Sequence, residues 1–124
     1  MTEPISLRPR ARRLPVKIPI SRSTIPVFLE SQIMNLSKGG VFIRSDIVFP
    51  LGSEIDFEFS LPGSSRAVRA VGVVVWTRPR RKGEKHFLPE HPPGMGVQFR
   101  TIHSEDLDFL MEQLERLLKN TAEL

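Results

Sequence analysis

Glu54-Ile-Asp-Phe-Glu-Phe-Ser60 is the stretch that decides the fold. Ile55, Phe57 and Phe59 alternate with Glu54, Asp56 and Glu58. Successive side chains of a strand point to opposite faces, so residues 54–60 present one apolar and one acidic face. That is the pattern of an antiparallel sheet packed on one side and wet on the other. Turn-forming residues bound the run, Pro50-Leu-Gly-Ser53 before it and Pro62-Gly-Ser-Ser65 after it.

Working outward, the same period recurs. Arg66–Trp76 reads as a longer strand with Val71, Val73 and Val75 on one face. Residues 77–93 form a loop with prolines at 79, 89, 92 and 93, and Met95, Val97 and Phe99 alternate in a last short strand. Toward the N-terminus, Val41–Arg44 is extended, Asn35-Leu-Ser-Lys-Gly-Gly40 is a turn by composition, and Ile25–Met34 is a further strand. Val16, Ile18 and Ile20 alternate with Lys17, Pro19 and Ser21, and the prolines mark this first strand as a sheet edge.

At Ser104 the period changes. Leu107, Leu110, Met111, Leu114, Leu117 and Leu118 follow helical spacing through residue 119. Ser104 suits an N-cap, Glu105 and Asp106 suit the positive end of the helix dipole, and Arg116 and Lys119 suit the other end. The fold class is therefore all-β with one C-terminal helix. About six short strands without intervening helices favour a small closed antiparallel barrel, which leaves no sheet edge exposed.

At 124 residues the chain has the length of one domain, and 40% hydrophobic residues suffice for one core. It divides into an arginine-rich arm over 1–13, a barrel plus helix over 14–119, and a tail over 120–124. No cysteine is present, which excludes disulfides and thiolate chemistry. The apolar run Ala70–Trp76 is far shorter than the roughly 20 residues that span a bilayer. The first residues carry no apolar secretion segment, so a soluble cytoplasmic protein without membrane contact is expected.

The net charge of +4 is unevenly spread. Arg8, Arg10, Arg12, Arg13, Lys17 and Arg22 fall in a stretch without acids, and Arg78, Arg80, Arg81, Lys82 and Lys85 form a second basic run. Such segregation points to an anionic partner. A nucleic-acid-binding barrel is disfavoured. There is no tyrosine, the single tryptophan ends a core-like strand, and Phe28, Phe57 and Phe59 sit on strands where burial is the expected fate.

No catalytic constellation stands out, so an enzyme is not expected. Gly94-Met-Gly96 lacks the third glycine of a dinucleotide fingerprint, because Phe99 occupies that place and no helix follows. His86 and His91 share a proline-rich loop without a third metal ligand. What remains is the arginine arm and the Asn35-x-Ser37-x-x-Gly40 turn. Arginine offers a planar fork of donors to phosphate. Asn35 presents an amide that both donates and accepts, which suits a purine edge. Ser37 adds a hydroxyl, and Gly39 and Gly40 permit positive φ and close backbone approach to a ligand.

In these parts the sequence resembles the PilZ domain family, bacterial receptors for cyclic di-GMP. The resemblance covers nearly the whole chain. It rests on the arginine arm leading into Leu14-Pro-Val-Lys-Ile-Pro-Ile20, on Asn35-Leu-Ser-Lys-Gly-Gly40, on Val73-Val-Val-Trp76, and on Gly94-Met-Gly-Val-Gln-Phe99 before a C-terminal helix. It implies a six-stranded antiparallel PilZ-like β-barrel with a helix at one end. It also implies cyclic di-GMP as ligand, no cofactor, and a protein effector in motility, surface attachment or biofilm formation.

The family's Arg-x-x-x-Arg arm grips phosphates and guanines. Its Asn/Asp-x-Ser-x-x-Gly turn binds a guanine and phosphate from the barrel surface. Arg8 and Arg12 satisfy the first spacing, and Asn35, Ser37 and Gly40 match the second motif. In the family the second arginine usually runs directly into the first strand, the context of Arg13-Leu-Pro-Val16, yet Pro9 stands four residues before Arg13. Arg13 therefore joins the candidate ligand-binding residues. The alternative is a nucleotide-independent interaction module on the same fold.

Overall fold

The computed structural model describes residues 13–25, 31–80 and 92–122, with side chains through Lys119. Arg8 and Arg12 lie outside the described residues, as do 26–30 of the expected second strand, most of the 77–93 loop and the end of the tail. Among the described residues six strands run in chain order: β1 (Leu14–Pro19), β2 (Gln32–Leu36), β3 (Gly40–Arg44), β4 (Glu54–Ser60), β5 (Ala67–Arg78) and β6 (Gly94–Ile102). One helix, α1 (Ser104–Ala122), follows. The strands form a single sheet in the order β1-β2-β3-β6-β5-β4, and every neighbouring pair is antiparallel.

The sheet curls into a half-barrel. Among the described residues, the segment after β1 meets β4 through one bridge, between Arg22 and Glu58. There Ser21 N–H donates to the Glu58 carbonyl and Glu58 N–H donates to the Arg22 carbonyl, each at 2.8 Å. Among the described residues closure is thus thinner than the sequence suggests. One reason is local: β1 carries Pro15 and Pro19, which have no N–H to give a closing ladder.

Asp56 reinforces the seam. Its carboxylate accepts both the backbone N–H (3.1 and 3.2 Å) and the hydroxyl of Thr24, and its carbonyl accepts the Ser23 hydroxyl. Burial by itself would raise the pKa of Asp56, but the Thr24 and Ser23 hydrogen bonds outweigh it and hold the carboxyl below its ordinary value.

β4 folds as its alternation dictates, with Ile55, Phe57 and Phe59 in the core. The antiparallel register places Gly72, Ala70 and Val68 of β5 opposite them. The small residues face the large rings, which sends Val71, Val73 and Val75 to the outer face of the sheet. Val75 is 43% exposed, so these valines share a face, but it is the wet one.

The helix closes the core with Leu110 and Leu114, both fully buried. It starts one residue earlier than expected. The His103 carbonyl accepts the Leu107 N–H at 2.8 Å, so His103 is the cap and Ser104 is the first helical residue. Among the described residues no helix is long and apolar enough to cross a membrane.

Candidate functional site

β2 begins and ends later than its composition suggests, and Asn35 lies on the strand rather than in the turn. Pro15 of β1 and Phe42 of β3 pair with Asn35 from either side and hold it extended. On β2 the register with β3 shifts between Ile33 and Asn35. Met34 is the extra residue of a β-bulge. Ile33 and Leu36 are both fully buried, yet they lie an odd number of positions apart. Strict alternation would send Asn35 into the core with Ile33. The bulge resets the phase and turns Asn35 to the outer face.

The same device operates on β5. Its register with β6 shifts between Val74 and Trp76, leaving Val75 as the extra residue. Val74 is buried, and alternation alone would carry Trp76 inward with it. The bulge instead pairs Trp76 with Gly96 on the outer face. Two bulges, on the strands flanking β3 and β6, therefore deliver Asn35 and Trp76 to one surface. Cross-strand partners form a continuous row there: Pro15, Asn35, Phe42, Gly96, Trp76. The adjoining row is Gln32, Arg44, Gly94, Arg78. Neither row contains an acid.

Gly94 and Gly96 let two rings lie against the sheet. A Cβ at Gly96 would collide with the Trp76 indole, and one at Gly94 would collide with the Phe42 ring. The Phe42 and Trp76 rings are 5.3 Å apart and 12° from parallel. The Arg78 guanidinium carbon lies 5.3 Å from the Trp76 ring centre and 5.8 Å from that of Phe42. Its Nη1 donates to the Pro92 carbonyl at 3.2 Å, which fixes the head group at the rim of the ring pair.

At the other end of the row, Arg13 Nη1 donates to Asn35 Oδ1 at 3.2 Å. The structure thus joins the last arginine of the arm to the first residue of the turn motif. Ser37 and Gly40 occupy a different position in the architecture. Ser37 N–H donates to the Gly40 carbonyl at 2.9 Å, and its hydroxyl accepts the Gly39 N–H at 3.2 Å and donates to the Gly40 carbonyl at 3.3 Å. With 7% exposure, the Ser37 side chain belongs to the turn's own hydrogen bonding. Neither Gly39 nor Gly40 adopts a positive φ. Gly40 is needed for a different close approach: a Cβ there would collide with the Val97 carbonyl oxygen of β6. The expectation of left-handed glycines facing a ligand is corrected accordingly.

Phe42 is the member of this face that the sequence does not reveal; Trp76 reads as a barrel-rim residue and Arg78 as part of a basic loop flanking the ligand site, whereas Arg78 ends β5. Gly94-Met-Gly96 held the missed signal. Glycine at alternate positions of a strand leaves one of its faces bare, and the bared backbone here carries the two rings.

Two further depressions, of about 610 and 460 Å³, lie along β4 and β5, away from Asn35, and share Glu58, Arg69 and Val71. Arg69 and Glu58 pair across them at 3.4 Å. Among the described residues no group of three side chains is arranged to hold a metal ion.

The two rows make a cationic and aromatic part of the outer sheet face, with Arg13 hydrogen-bonded to Asn35 at one end, while the acids Glu54, Asp56 and Glu58 lie apart from it on β4. The chain belongs to the PilZ domain family, whose model matches residues 7–120. Among solved structures it is similar to the Bacillus subtilis inhibitor of motility (MotI/DgrA), with a TM-score of 0.66 and 18% sequence identity. That match covers 91% of this chain and 52% of the other, so the chain spans about half the length of that protein. No curated protein matches the sequence.

Proposed function

We propose that this domain is a non-catalytic receptor for cyclic di-GMP that alters its surface on binding and so regulates a protein effector in the cytoplasm. The observation that carries the reading is the Arg13–Asn35 hydrogen bond at the edge of the Phe42–Trp76 face. Arginine pairs with phosphate in a fork, Asn35 matches a purine edge, and an aromatic pair favours a flat base beside them. Arg8 and Arg12 supply further cations from upstream. Ser37 and Gly40 contribute by fixing the turn that holds Asn35 in place. Ordering the arm costs conformational entropy, which the phosphate contacts must exceed. Membership of the PilZ family supports the ligand class, and the similar protein's role as an inhibitor of motility supports motility as the regulated process.

Calorimetric titration with cyclic di-GMP at fixed salt tests the reading and returns affinity and stoichiometry together. Saturable binding that weakens in Arg13→Ala and Asn35→Ala is expected. Absence of saturable heat at high micromolar ligand overturns it, and the fold is then an interaction module that works without the nucleotide.

A further inference from the structure

The connection between β3 and β4 is pinned at three points, yet it leaves two aliphatic side chains outside. It crosses the ends of β6 and β5, because the sheet order puts those strands between β3 and β4. Ser45 N–H donates to the Pro93 carbonyl at 3.1 Å, and Gly52 N–H donates to the Val74 carbonyl at 2.8 Å. Between them Phe49 N–H donates to Met95 Sδ at 3.2 Å. Val48 and Phe49 pack against the core, whereas Ile47 and Leu51 are 54% and 66% exposed.

Each exposed side chain is held by a serine. The Ser45 hydroxyl accepts the Ile47 N–H at 3.2 Å and donates to the Ile47 carbonyl at 2.7 Å. Ser53 gives its N–H (3.1 Å) and its hydroxyl (2.6 Å) to the Pro50 carbonyl. Gly52, with φ of +86°, takes the left-handed position of that turn, which puts Leu51 at its apex. Val75, beside Val74 on β5, is also exposed. Among the described residues, three of the four exposed large hydrophobics therefore gather where Arg78 pairs with Gly94. The fourth, Leu107, lies on α1 beyond the opposite end of the β5–β6 pair, where Ala70 meets Ile102.

Charge follows the same axis. Arg44 and Arg78 flank Gly94, and Arg80 follows, facing Asp46 at 3.8 Å. The other acid near the Leu51 turn, Glu54, is paired with Arg100 at 2.8 Å. Glu105, Asp106 and Asp108 gather at the start of α1, at the far end. An anionic surface would turn the molecule so that the aliphatic tips lead.

Convexity decides the kind of partner. A stable protein interface needs about 800 Å² of matched surface on each side, and two turn tips and a bulge offer far less. A bilayer surface asks for no matched shape. It takes aliphatic groups into the acyl boundary and attracts arginines to anionic headgroups.

We infer that this end of the domain docks on an anionic lipid surface. Ile47, Leu51 and Val75 enter the acyl boundary, and Arg78 and Arg80 supply attraction by charge, without leaving their present partners. The length of an apolar run governs spanning, not contact of this kind. The inference is independent of the nucleotide reading, and its test uses no nucleotide.

Co-sedimentation of the full chain is measured with two kinds of vesicle. One is phosphatidylcholine alone, and the other carries about a third of its lipid as phosphatidylserine. Wild type should partition onto the anionic vesicles, far less onto the neutral ones, and less as salt rises. Leu51→Gln and Ile47→Gln should each weaken partitioning by about 3- to 30-fold, as expected for partial burial of one aliphatic side chain. Arg80→Gln should weaken it by about 5-fold. Leu107→Gln, at the acidic end, should leave it unchanged. All four positions are exposed, so melts followed by circular dichroism should stay close to that of wild type.

Wild type that stays in solution with both vesicles overturns the inference and leaves the tips to a protein partner. Partitioning that Leu51→Gln and Ile47→Gln leave intact overturns it too, as does an equal loss in Leu107→Gln.

Discussion

Replacing Gly40 with alanine separates two jobs that a glycine in this motif could have. The added Cβ would meet the Val97 carbonyl oxygen head-on and would stand 3.0 Å from the Val97 carbonyl carbon and 3.1 Å from Gln98 Cα. All three are backbone atoms of β6, so no side chain can turn aside. The β3–β6 ladder runs through five residue pairs from Gly40–Gln98 to Arg44–Gly94, and relief requires its first pair to open.

Overpacking of this kind costs about 1–3 kcal/mol, and each backbone hydrogen bond lost costs about 1 kcal/mol more. A total of about 2–4 kcal/mol is expected, which for a chain of this size lowers Tm by about 8–16 °C. Gly52→Ala is the comparison. Gly52 has φ of +86° with nothing within 4 Å of a Cβ, so only the left-handed backbone is penalised, by about 1 kcal/mol. Thermal melts followed by circular dichroism measure both variants, and calorimetry with cyclic di-GMP accompanies them. The reasoning is refuted if Gly40→Ala melts as high as Gly52→Ala yet no longer binds the nucleotide. Gly40 would then serve ligand approach rather than strand packing.

Three further outcomes follow from other parts of the molecule. Asp56 has a folded pKa below its unfolded value, so its contribution is complete above about pH 4 and is lost as pH falls through the lowered value. Asp56→Asn should therefore melt below wild type near neutrality, and the two Tm curves should converge in acid. Phe57→Ala empties a fully buried site opposite Ala70 and should cost about 3–5 kcal/mol in urea unfolding. A loss under about 1 kcal/mol would mean that the core is packed differently. Arg13→Ala should weaken cyclic di-GMP binding by about 10- to 150-fold, as expected for one charge-assisted contact. Arg22→Ala should have little effect, because Arg22 is tied to Glu58 through its backbone. Equal losses in the two variants would point to general charge attraction.

Much of the fold was legible in the sequence because it depends on local periodicity. Residues 54–60 carry their own two faces, and the strand forms over that same span. The helix announces itself through leucine spacing and acidic first-turn residues; its cap is His103 rather than Ser104, and it runs past the expected end at 119 to Ala122. Prolines marked β1 as an edge, and the sheet order places it there. The second strand was displaced because Asn35 has turn-like composition but is clasped between Pro15 and Phe42.

For the candidate site, the sequence by itself determined that arginines precede a strand and that an Asn-x-Ser-x-x-Gly segment follows. It could not determine which face Asn35 and Trp76 occupy. A bulge changes the facing of everything beyond it, and whether one forms depends on the register with neighbouring strands. Those neighbours are Phe42, across a hairpin from Asn35, and Gly96, across the long β5–β6 connection from Trp76. Volume made the other choice, since Gly72 and Ala70 had to oppose Ile55 and Phe57, which turned the valines of β5 outward. Alternation is a property of a segment, whereas facing is a property of the pairings, and only the folded sheet contains the pairings.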